Sequence, residues 1–209
     1  MVTNKPLFIV FEGLDGSGKS TQIHMLKEKL QSMGRNVHVT AEPTNSATGG
    51  LIRDALCACH KREPSELASL FLTDRVSHNV NPVWGIKKML SEGKDVISDR
   101  YYYSSFAYQG IESDLQWIIN MNLDCPQITK PDLCIYLDVD PDRCKNRIDT
   151  NRSHIEIYEK DVEIMRKIRN QFLNIFDKLK SSDNIRIVDA NRTVEEISEE
   201  ILQIITNLN

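Results

Sequence analysis

Residues 13–21, GLDGSGKST, place three glycines, one lysine and three hydroxyl side chains directly after the apolar run 7–11. Glycines allow consecutive backbone N–H groups to turn toward one anion, and a helix beginning here adds the positive end of its dipole. Lys19 can supply a point charge for the β and γ phosphates, and the hydroxyl of Ser20 is a suitable ligand for Mg²⁺. The spacing G-x-x-x-x-G-K-S/T between a strand and a helix predicts a nucleoside triphosphate site, and leaves open what receives the phosphate.

A second candidate position is Asp99, which ends the apolar run that contains Val96 and Ile97. Ligands of parallel sheets bind at the carboxyl ends of the strands, so Asp99 is predicted to help Ser20 hold magnesium, directly or through water. Arg100 follows immediately and is expected to face the same crevice. The alternative interpretation of Asp99 is a turn residue at a strand end.

Short apolar runs alternate with helix-forming stretches along the chain. The runs predict strands at 7–11, 36–40, 95–98, 133–137 and 185–188. Helices are predicted at 20–33, from 64 onward, at 115–122, 141–148 and 157–179, and after 193. Strands that are apolar on both faces indicate a parallel sheet covered on both sides. The prediction is an α/β fold of three layers, with a five-stranded parallel sheet flanked by helices.

Residues 1–209 are predicted to form one domain, because no repeat, low-complexity segment or long linker divides them. The polar residues 148–154 interrupt two predicted helices and are interpreted as a mobile flap, a lid at about 147–157.

Composition argues against several classes of partner. The chain has 26 basic and 30 acidic residues and no long basic cluster, so we do not expect a nucleic acid polymer as ligand. The longest apolar run, of five residues, is far below the roughly 20 that cross a membrane. Five cysteines without C-x-x-C spacing, and an N-terminus unlike a signal peptide, favour reduced thiols in a cytoplasmic protein.

With Asp99-Arg100-Tyr101 added to the phosphate loop, the sequence resembles the thymidylate kinases, a family of P-loop nucleoside monophosphate kinases. The matching segments extend over almost the whole chain: 11–22, 42–44, Phe71 with Arg75, 99–101, 107–110, 131–133, 136–141 and 189–190. The resemblance implies the P-loop NTPase fold and phosphoryl transfer from ATP, the co-substrate, to dTMP, giving ADP and dTDP. It also implies Mg²⁺ as cofactor and a homodimer.

The resemblance assigns roles on the donor side of the reaction. Catalytic roles fall to Lys19, Asp15, Arg100 and Arg152. Because Gly16 occupies the loop position where some relatives carry a catalytic arginine, the lid should supply it, with Arg152 on the transferring phosphoryl group and Arg147 stacked on adenine. The residues implied for ATP binding are Gly13, Leu14, Asp15, Gly16, Ser17, Gly18, Lys19, Ser20, Thr21 and Arg147.

On the acceptor side, Phe71 is implied to stack on thymine while Arg75, one helical turn later, donates to its carbonyl edge. An ordinary core phenylalanine and a solvated helix arginine are the alternative. Arg53 and Arg100 are implied to clamp the acceptor phosphate, although Arg53 also fits a surface helix. The base and sugar are contacted in the family at Ser105, Tyr108 and Gln109, and Tyr108 would crowd a ribose 2′-hydroxyl.

Two features remain open. The family often has an arginine where this chain has Ala41, and Thr44-Asn45-Ser46 replaces a Gly-Gly-Thr segment. Glu156 and Glu159 match acidic positions after the lid, and they fit a solvated helix start equally well.

A kinase for another nucleotide, including dUMP, or a slow P-loop ATPase acting as a switch remain alternatives. Three arginines at positions 53, 75 and 100 favour a second anionic substrate over the switch.

Overall fold

One parallel sheet forms the centre of the computed structural model, which describes residues 5–151 and 156–208. Its strand order is β2-β3-β1-β4-β5. The strands are β1 Phe8–Glu12, β2 Val37–Ala41, β3 Asp95–Asp99, β4 Leu133–Asp138 and β5 Ile185–Asp189. All five predicted strands are present, and each ends one residue later than predicted. The reason is that pairing continues into residues at the carboxyl ends, as in Phe11 with Asp99 and Asp138 with Asp189.

Helices connect the strands, and nine of them are α-helices within residues 5–151 and 156–208. They are α1 Lys19–Ser32, α2 Ala47–Leu56, α3 Pro64–Val80, α4 Ile86–Ser91, α5 Tyr102–Tyr108, α6 Leu115–Leu123, α7 Pro141–Asn151, α8 Val162–Leu179 and α9 Val194–Thr206. Helices α2, α4 and α5 were not predicted. Helix α2 contains Gly49 and Gly50, which lower helix propensity, and α5 is buried along its length and so lacks an amphipathic pattern.

Two predicted boundaries around the flap are wrong. Helix α7 continues to Asn151, so the buried side chain of Ile148 belongs to this helix. Helix α8 begins only at Val162, because the carboxylate of Asp161 accepts a hydrogen bond from the backbone N–H of Glu163 and caps the helix there.

The sheet lies between two helical layers, as the sequence predicted. On one side α1 packs against α9, and on the other α5 packs against α8. Strand β1 is the central strand, and all five of its residues are buried. The loop that follows β1 therefore begins at a fixed position at the carboxyl edge of the sheet. Within the described part of the chain, no helix has both the length and the apolar character needed to cross a membrane.

Candidate active site

The phosphate loop connects β1 to α1 at the carboxyl edge of the sheet. Gly18, with φ 99°, provides the left-handed turn from which α1 starts at Lys19. The ammonium group of Lys19 is buried and donates hydrogen bonds of 3.0 Å to the carbonyl oxygens of Gly13 and Leu14. Burial and the nearby charge of Arg100 lower its pKa, against the opposing effect of neighbouring carboxylates.

A cavity of about 600 Å³ opens above this loop. Eight residues implied to bind ATP line it, and Asp99 and Arg100 at the sheet edge also form part of its wall. The lining residues from the predicted ATP set are Asp15, Gly16, Ser17, Gly18, Lys19, Ser20, Thr21 and, from α7, Arg147. Gly13 and Leu14 lie beneath the cavity and contribute the carbonyl groups that hold Lys19.

Asp99 and Ser20 lie on this wall as the sequence predicted, and their chemistry fits a hard cation. The Oδ1 atom of Asp99 is buried and has no hydrogen-bond partner among the described residues. A buried carboxylate oxygen in that condition needs a ligand or water. Ser20 is exposed and brings a hydroxyl oxygen to the same cavity. Oxygen donors of this kind are those that Mg²⁺ prefers.

Gly16 has a structural reason to be glycine. Its φ is +79°, and a Cβ placed there would lie 2.6 Å from the backbone oxygen of Cys144 in α7. Since the clashing atom belongs to helix backbone, no side chain can be accommodated without moving α7. The loop therefore cannot present an arginine at this position.

Helix α7 also brings one of the two predicted lid arginines to the site. The guanidinium of Arg147 donates a 2.9 Å hydrogen bond to the carbonyl oxygen of Gly16. Arg152, the other, lies outside the described residues. Arg192, between β5 and α9, lines the same cavity and was not predicted. Its neighbours Asp189 and Ala190 matched the family, and that match was the available signal.

A second cavity of about 210 Å³ lies beside the first. Of the seven residues implied to bind the acceptor, five line it: Arg53, Phe71, Arg100, Tyr108 and Gln109. The wall also contains Ser104, Glu156 and Tyr158, and of these Glu156 had been noted as matching the family. The cavity thus brings together residues from six separate segments of the sequence.

The two cavities share the ion pair of Asp15 and Arg100, whose charged atoms are 2.8 Å apart. Tyr108 supports this pair: its hydroxyl donates to Asp15 at 3.4 Å and accepts from Arg100 at 3.3 Å. Its ring lies under the guanidinium of Arg100, 5.0 Å from centroid to Cζ. Burial opposes the charge on Arg100, yet Asp15 and the other nearby acidic groups raise its pKa well above the usual value.

Two of the predicted acceptor residues are not at the cavity wall. Arg75 is 1 % exposed, and its guanidinium binds the carboxylate of Glu42 and the side-chain oxygen of Asn122. The alternative of a solvated arginine is wrong, because the side chain is buried. Ser105 is buried behind the wall, which Ser104 forms instead, and the Oγ atom of Ser105 has no hydrogen-bond partner within the described ranges.

The loop that departs from the family pattern is organised by Asp74, which the sequence did not single out. Its carboxylate accepts hydrogen bonds of 2.7–2.8 Å from Thr44, Ser46 and Thr48. Arg53 donates to the carbonyl oxygen of Thr44 at 2.7 Å, so this loop also orients the predicted phosphate clamp. Thr44 and Ser46, in the segment that departs from the family pattern, thus have a structural role.

Glu12 was also missed. It is fully buried at the end of β1, and its carboxylate accepts hydrogen bonds from the backbone N–H groups of Tyr101 and Ser104 and from the Ser104 hydroxyl. Burial raises its pKa to about 7, against the lowering effect of Arg100 and of these hydrogen bonds. An acidic side chain in an otherwise apolar strand was the signal available in the sequence.

Comparison with known proteins bears on these two adjoining cavities. The family model described as thymidylate kinase matches residues 11–201. A probable thymidylate kinase of Pyrococcus horikoshii is 38 % identical over 208 residues, covering 95 % of each chain. The chain belongs to the thymidylate kinase family. A probable thymidylate kinase of Methanococcus aeolicus is 40 % identical, covering 94 % of each chain, and the thymidylate kinase of Leptospira interrogans is 36 % identical, covering 100 % of this chain and 98 % of its own.

Membership in the thymidylate kinase family agrees with the arrangement described above. Thymidylate kinases use ATP to phosphorylate dTMP, and such a reaction requires two anionic nucleotides at adjoining positions. The matched residues 11–201 include the phosphate loop, the Asp99-Arg100-Tyr101 segment and helix α3, each of which contributes residues to the cavity walls.

Proposed function

We propose that this chain transfers the γ-phosphoryl group of ATP to dTMP, giving ADP and dTDP. The observation that carries the proposal is the pair of cavities that meet at Asp15 and Arg100. The larger has the phosphate loop for a triphosphate, and the smaller has arginines and an aromatic side chain for a second nucleotide. An ATPase acting as a switch has no use for the second cavity.

In the donor cavity, Lys19 is proposed to contact the β and γ phosphates together with the backbone N–H groups of the loop. Arg147, beside Gly16, is proposed to stack on adenine, and Arg152 to reach the transferring phosphoryl group from the lid. Ser20 and Asp99 would hold Mg²⁺, which when bound offsets the negative charge of the phosphates.

In the acceptor cavity, Phe71 is proposed to stack on thymine, and Arg53 and Arg100 to clamp the monophosphate with one of its oxygens toward the donor. Tyr108 and Gln109 border the sugar, and the ring of Tyr108 disfavours a 2′-hydroxyl. Asp15, held by Arg100, orients that clamp. Catalysis in this scheme consists mainly of positioning and charge stabilisation.

The role of Arg75 as reader of the thymine carbonyl edge stays a prediction. Its Nε and two terminal nitrogens each make one contact, to Glu42 and Asn122. A guanidinium has five N–H groups. Each terminal nitrogen therefore has one further N–H group beyond these contacts. We propose that these two N–H groups donate hydrogen bonds to the base when dTMP binds.

We further propose a homodimer in a reducing, cytoplasmic compartment. Helices α2 and α6 both pack on α3, and they expose large apolar side chains at Leu51, Trp117 and Leu123. Leu67 of α3 is buried in the core and is not exposed to a partner. All five cysteines lie in the described ranges as free thiols. Sedimentation of wild type and of Trp117→Glu tests the dimer, because the variant should shift toward monomer.

A coupled ADP-release assay over a panel of nucleoside monophosphates tests the proposed reaction. We expect turnover with dTMP to exceed that with dCMP, dGMP and the ribonucleotide UMP, and dUMP to rank second. Lys19→Ala should abolish transfer. Higher turnover with another monophosphate would mean that the protein is a kinase for that nucleotide. Equal ADP release with and without an acceptor would mean that it is an ATPase and would contradict the proposed reaction.

A further inference from the structure

Glu12 has no part in the roles proposed above, although it stands directly before the phosphate loop. It lines neither cavity. Its carboxylate accepts three hydrogen bonds from the segment after β3: 2.9 Å from the backbone N–H of Tyr101, 3.1 Å from that of Ser104 and 2.6 Å from the Ser104 hydroxyl. These donors lie at the beginning of α5, so Glu12 ties the first turn of that helix to β1.

The residue enclosed by these contacts is Arg100, whose backbone is strained. Its φ of 69° lies in the left-handed region, which residues with a side chain adopt only where the surroundings impose it. Its own N–H donates to the carbonyl of Phe11 at 2.9 Å, and its carbonyl accepts from Ser98 Oγ at 2.8 Å. The next N–H along the chain, that of Tyr101, is the one that Glu12 accepts.

Glu12 also reaches the side chain of Arg100 through one hydroxyl group. Ser104 Oγ donates to Glu12 and accepts from the Nη1 of Arg100 at 3.0 Å. The guanidinium is thereby oriented between Ser104 on one side and the ion pair with Asp15 on the other. Charged or titratable groups of four neighbouring segments face Glu12: the cations Lys19 of α1 and Arg100 of the turn, and the neutral phenol of Tyr108 in α5 and thiol of Cys134 in β4.

We propose that Glu12 is a positioning residue, which fixes the backbone and guanidinium of Arg100 for the acceptor phosphate and connects them to the strand that carries the donor loop. The inference rests on the proposed function, since it takes the acceptor phosphate as the ligand of Arg100. Glu12 itself lines neither cavity. A substitution of Glu12 should therefore weaken binding of the acceptor only indirectly, by displacing Arg100.

The test is Glu12→Gln, which keeps the size of the side chain and an oxygen for the two backbone N–H groups. It replaces the other oxygen with an NH₂ group, which cannot accept from the Ser104 hydroxyl. We expect the KM for dTMP to rise and the affinity for dTMP in calorimetry to fall by about tenfold, the scale of one hydrogen bond in a charged network. The KM for ATP should change by less than about twofold, since the loop contacts of ATP are retained.

Asp95→Asn is the matched control. Asp95 is a buried carboxylate at the opposite end of β3, where it accepts from the backbone N–H of Leu7 at 2.8 Å and from Arg35. This variant should lower the Tm without altering the KM for dTMP. The double variant that combines Glu12→Gln with Ser104→Ala should lose no more dTMP affinity than the single variant with the larger loss, because both substitutions act through the same hydroxyl.

The outcomes are distinguishable. Wild type that fails to phosphorylate dTMP would overturn the proposed function. Wild type that phosphorylates dTMP, with a Glu12→Gln variant whose KM for dTMP matches that of Asp95→Asn, would overturn only the positioning role. Should Glu12→Gln not fold, Ser104→Ala carries the same test, and an unchanged KM for dTMP there would also refute the role.

Discussion

Asp15 and Arg100 lie 2.8 Å apart between their charged atoms, and this ion pair is the wall that the donor and acceptor cavities share. One partner comes from the phosphate loop and the other from the carboxyl end of β3. A carboxylate inside a loop that binds phosphate repels its ligand. We propose that its pairing with Arg100 accounts for its presence, because it holds that guanidinium where the acceptor monophosphate of the proposed reaction would approach.

Asp15→Asn should therefore damage use of the acceptor more than use of ATP. The amide keeps the shape of the side chain and loses the charge that orients Arg100. We expect kcat/KM for dTMP to fall by about tenfold, corresponding to a charge-assisted hydrogen bond. Steady-state kinetics with each substrate varied in turn checks this. A larger effect on the KM for ATP than on that for dTMP would contradict it.

The lid and the loop should not be interchangeable as sources of the catalytic arginine. Arg152→Ala is expected to lower kcat more than it raises the KM for dTMP. Adding Gly16→Arg to that variant should not restore kcat, because a Cβ at residue 16 would lie 2.6 Å from the Cys144 carbonyl oxygen, and φ there is +79°. Stopped-flow single turnovers of the single and double variants provide the measurement. Recovery of kcat in the double variant would contradict this prediction and would show that α7 can move far enough to accommodate a side chain at residue 16.

Arg75→Ala is expected to have two separable effects. Removing the guanidinium leaves Glu42 buried beside His78 without its main charge partner, which should cost about 3–5 kcal/mol in the free energy of unfolding. If Arg75 also reads thymine, the ratio of kcat/KM for dTMP to that for dCMP should fall. Denaturant unfolding measures the change in the free energy of unfolding, and the panel of nucleoside monophosphates measures the change in the ratio of kcat/KM values. A loss that is equal for every acceptor would leave Arg75 with the structural role alone.

The raised pKa of Glu12 makes a prediction for stability. A carboxyl group takes up a proton more readily in the folded chain when its pKa rises from 4.5 to about 7, so its contribution favours folding at low pH. That contribution should be lost as pH increases from about 4.5 to about 7. Its full size is on the order of 3 kcal/mol.

Denaturant unfolding of wild type and Glu12→Gln at intervals from pH 5 to pH 8 checks this. The neutral amide cannot ionise, so wild type should lose stability relative to the variant as pH rises. A difference that is constant with pH would mean that Glu12 titrates near its ordinary pKa in the folded chain.

The fold was predictable from the sequence because its signals are local. Apolar runs fix the five strands, and pairing rules for parallel sheets fix the layers. Helices α2 and α5 were missed for the same physical reason. Their stability depends on tertiary contacts, since α2 carries two glycines and α5 is buried on every side.

The site was predictable where one motif carries the chemistry and unpredictable where a side chain acts through a partner distant in sequence. Lys19, Ser20 and Asp99 lie on the donor cavity as the motifs indicated. Asp74 and Glu12 make their contacts with loops that fold onto them, 30 and about 90 residues away in the chain. No spacing within the sequence encodes those contacts.

Lys19 has a consequence for how the phosphate loop keeps its shape. Its ammonium group is bonded to the carbonyl oxygens of Gly13 and Leu14, so the lysine closes the turn from inside. A triphosphate that binds here competes with the carbonyl oxygens of Gly13 and Leu14 for the ammonium group of Lys19. The contribution of Lys19 to affinity is therefore the difference in free energy between its hydrogen bonds to phosphate and its hydrogen bonds to the loop. Replacement of Lys19 therefore removes the counter-charge for the nucleotide and also the hydrogen bonds that close the loop, so its effect on ATP binding overstates the strength of the contact with phosphate.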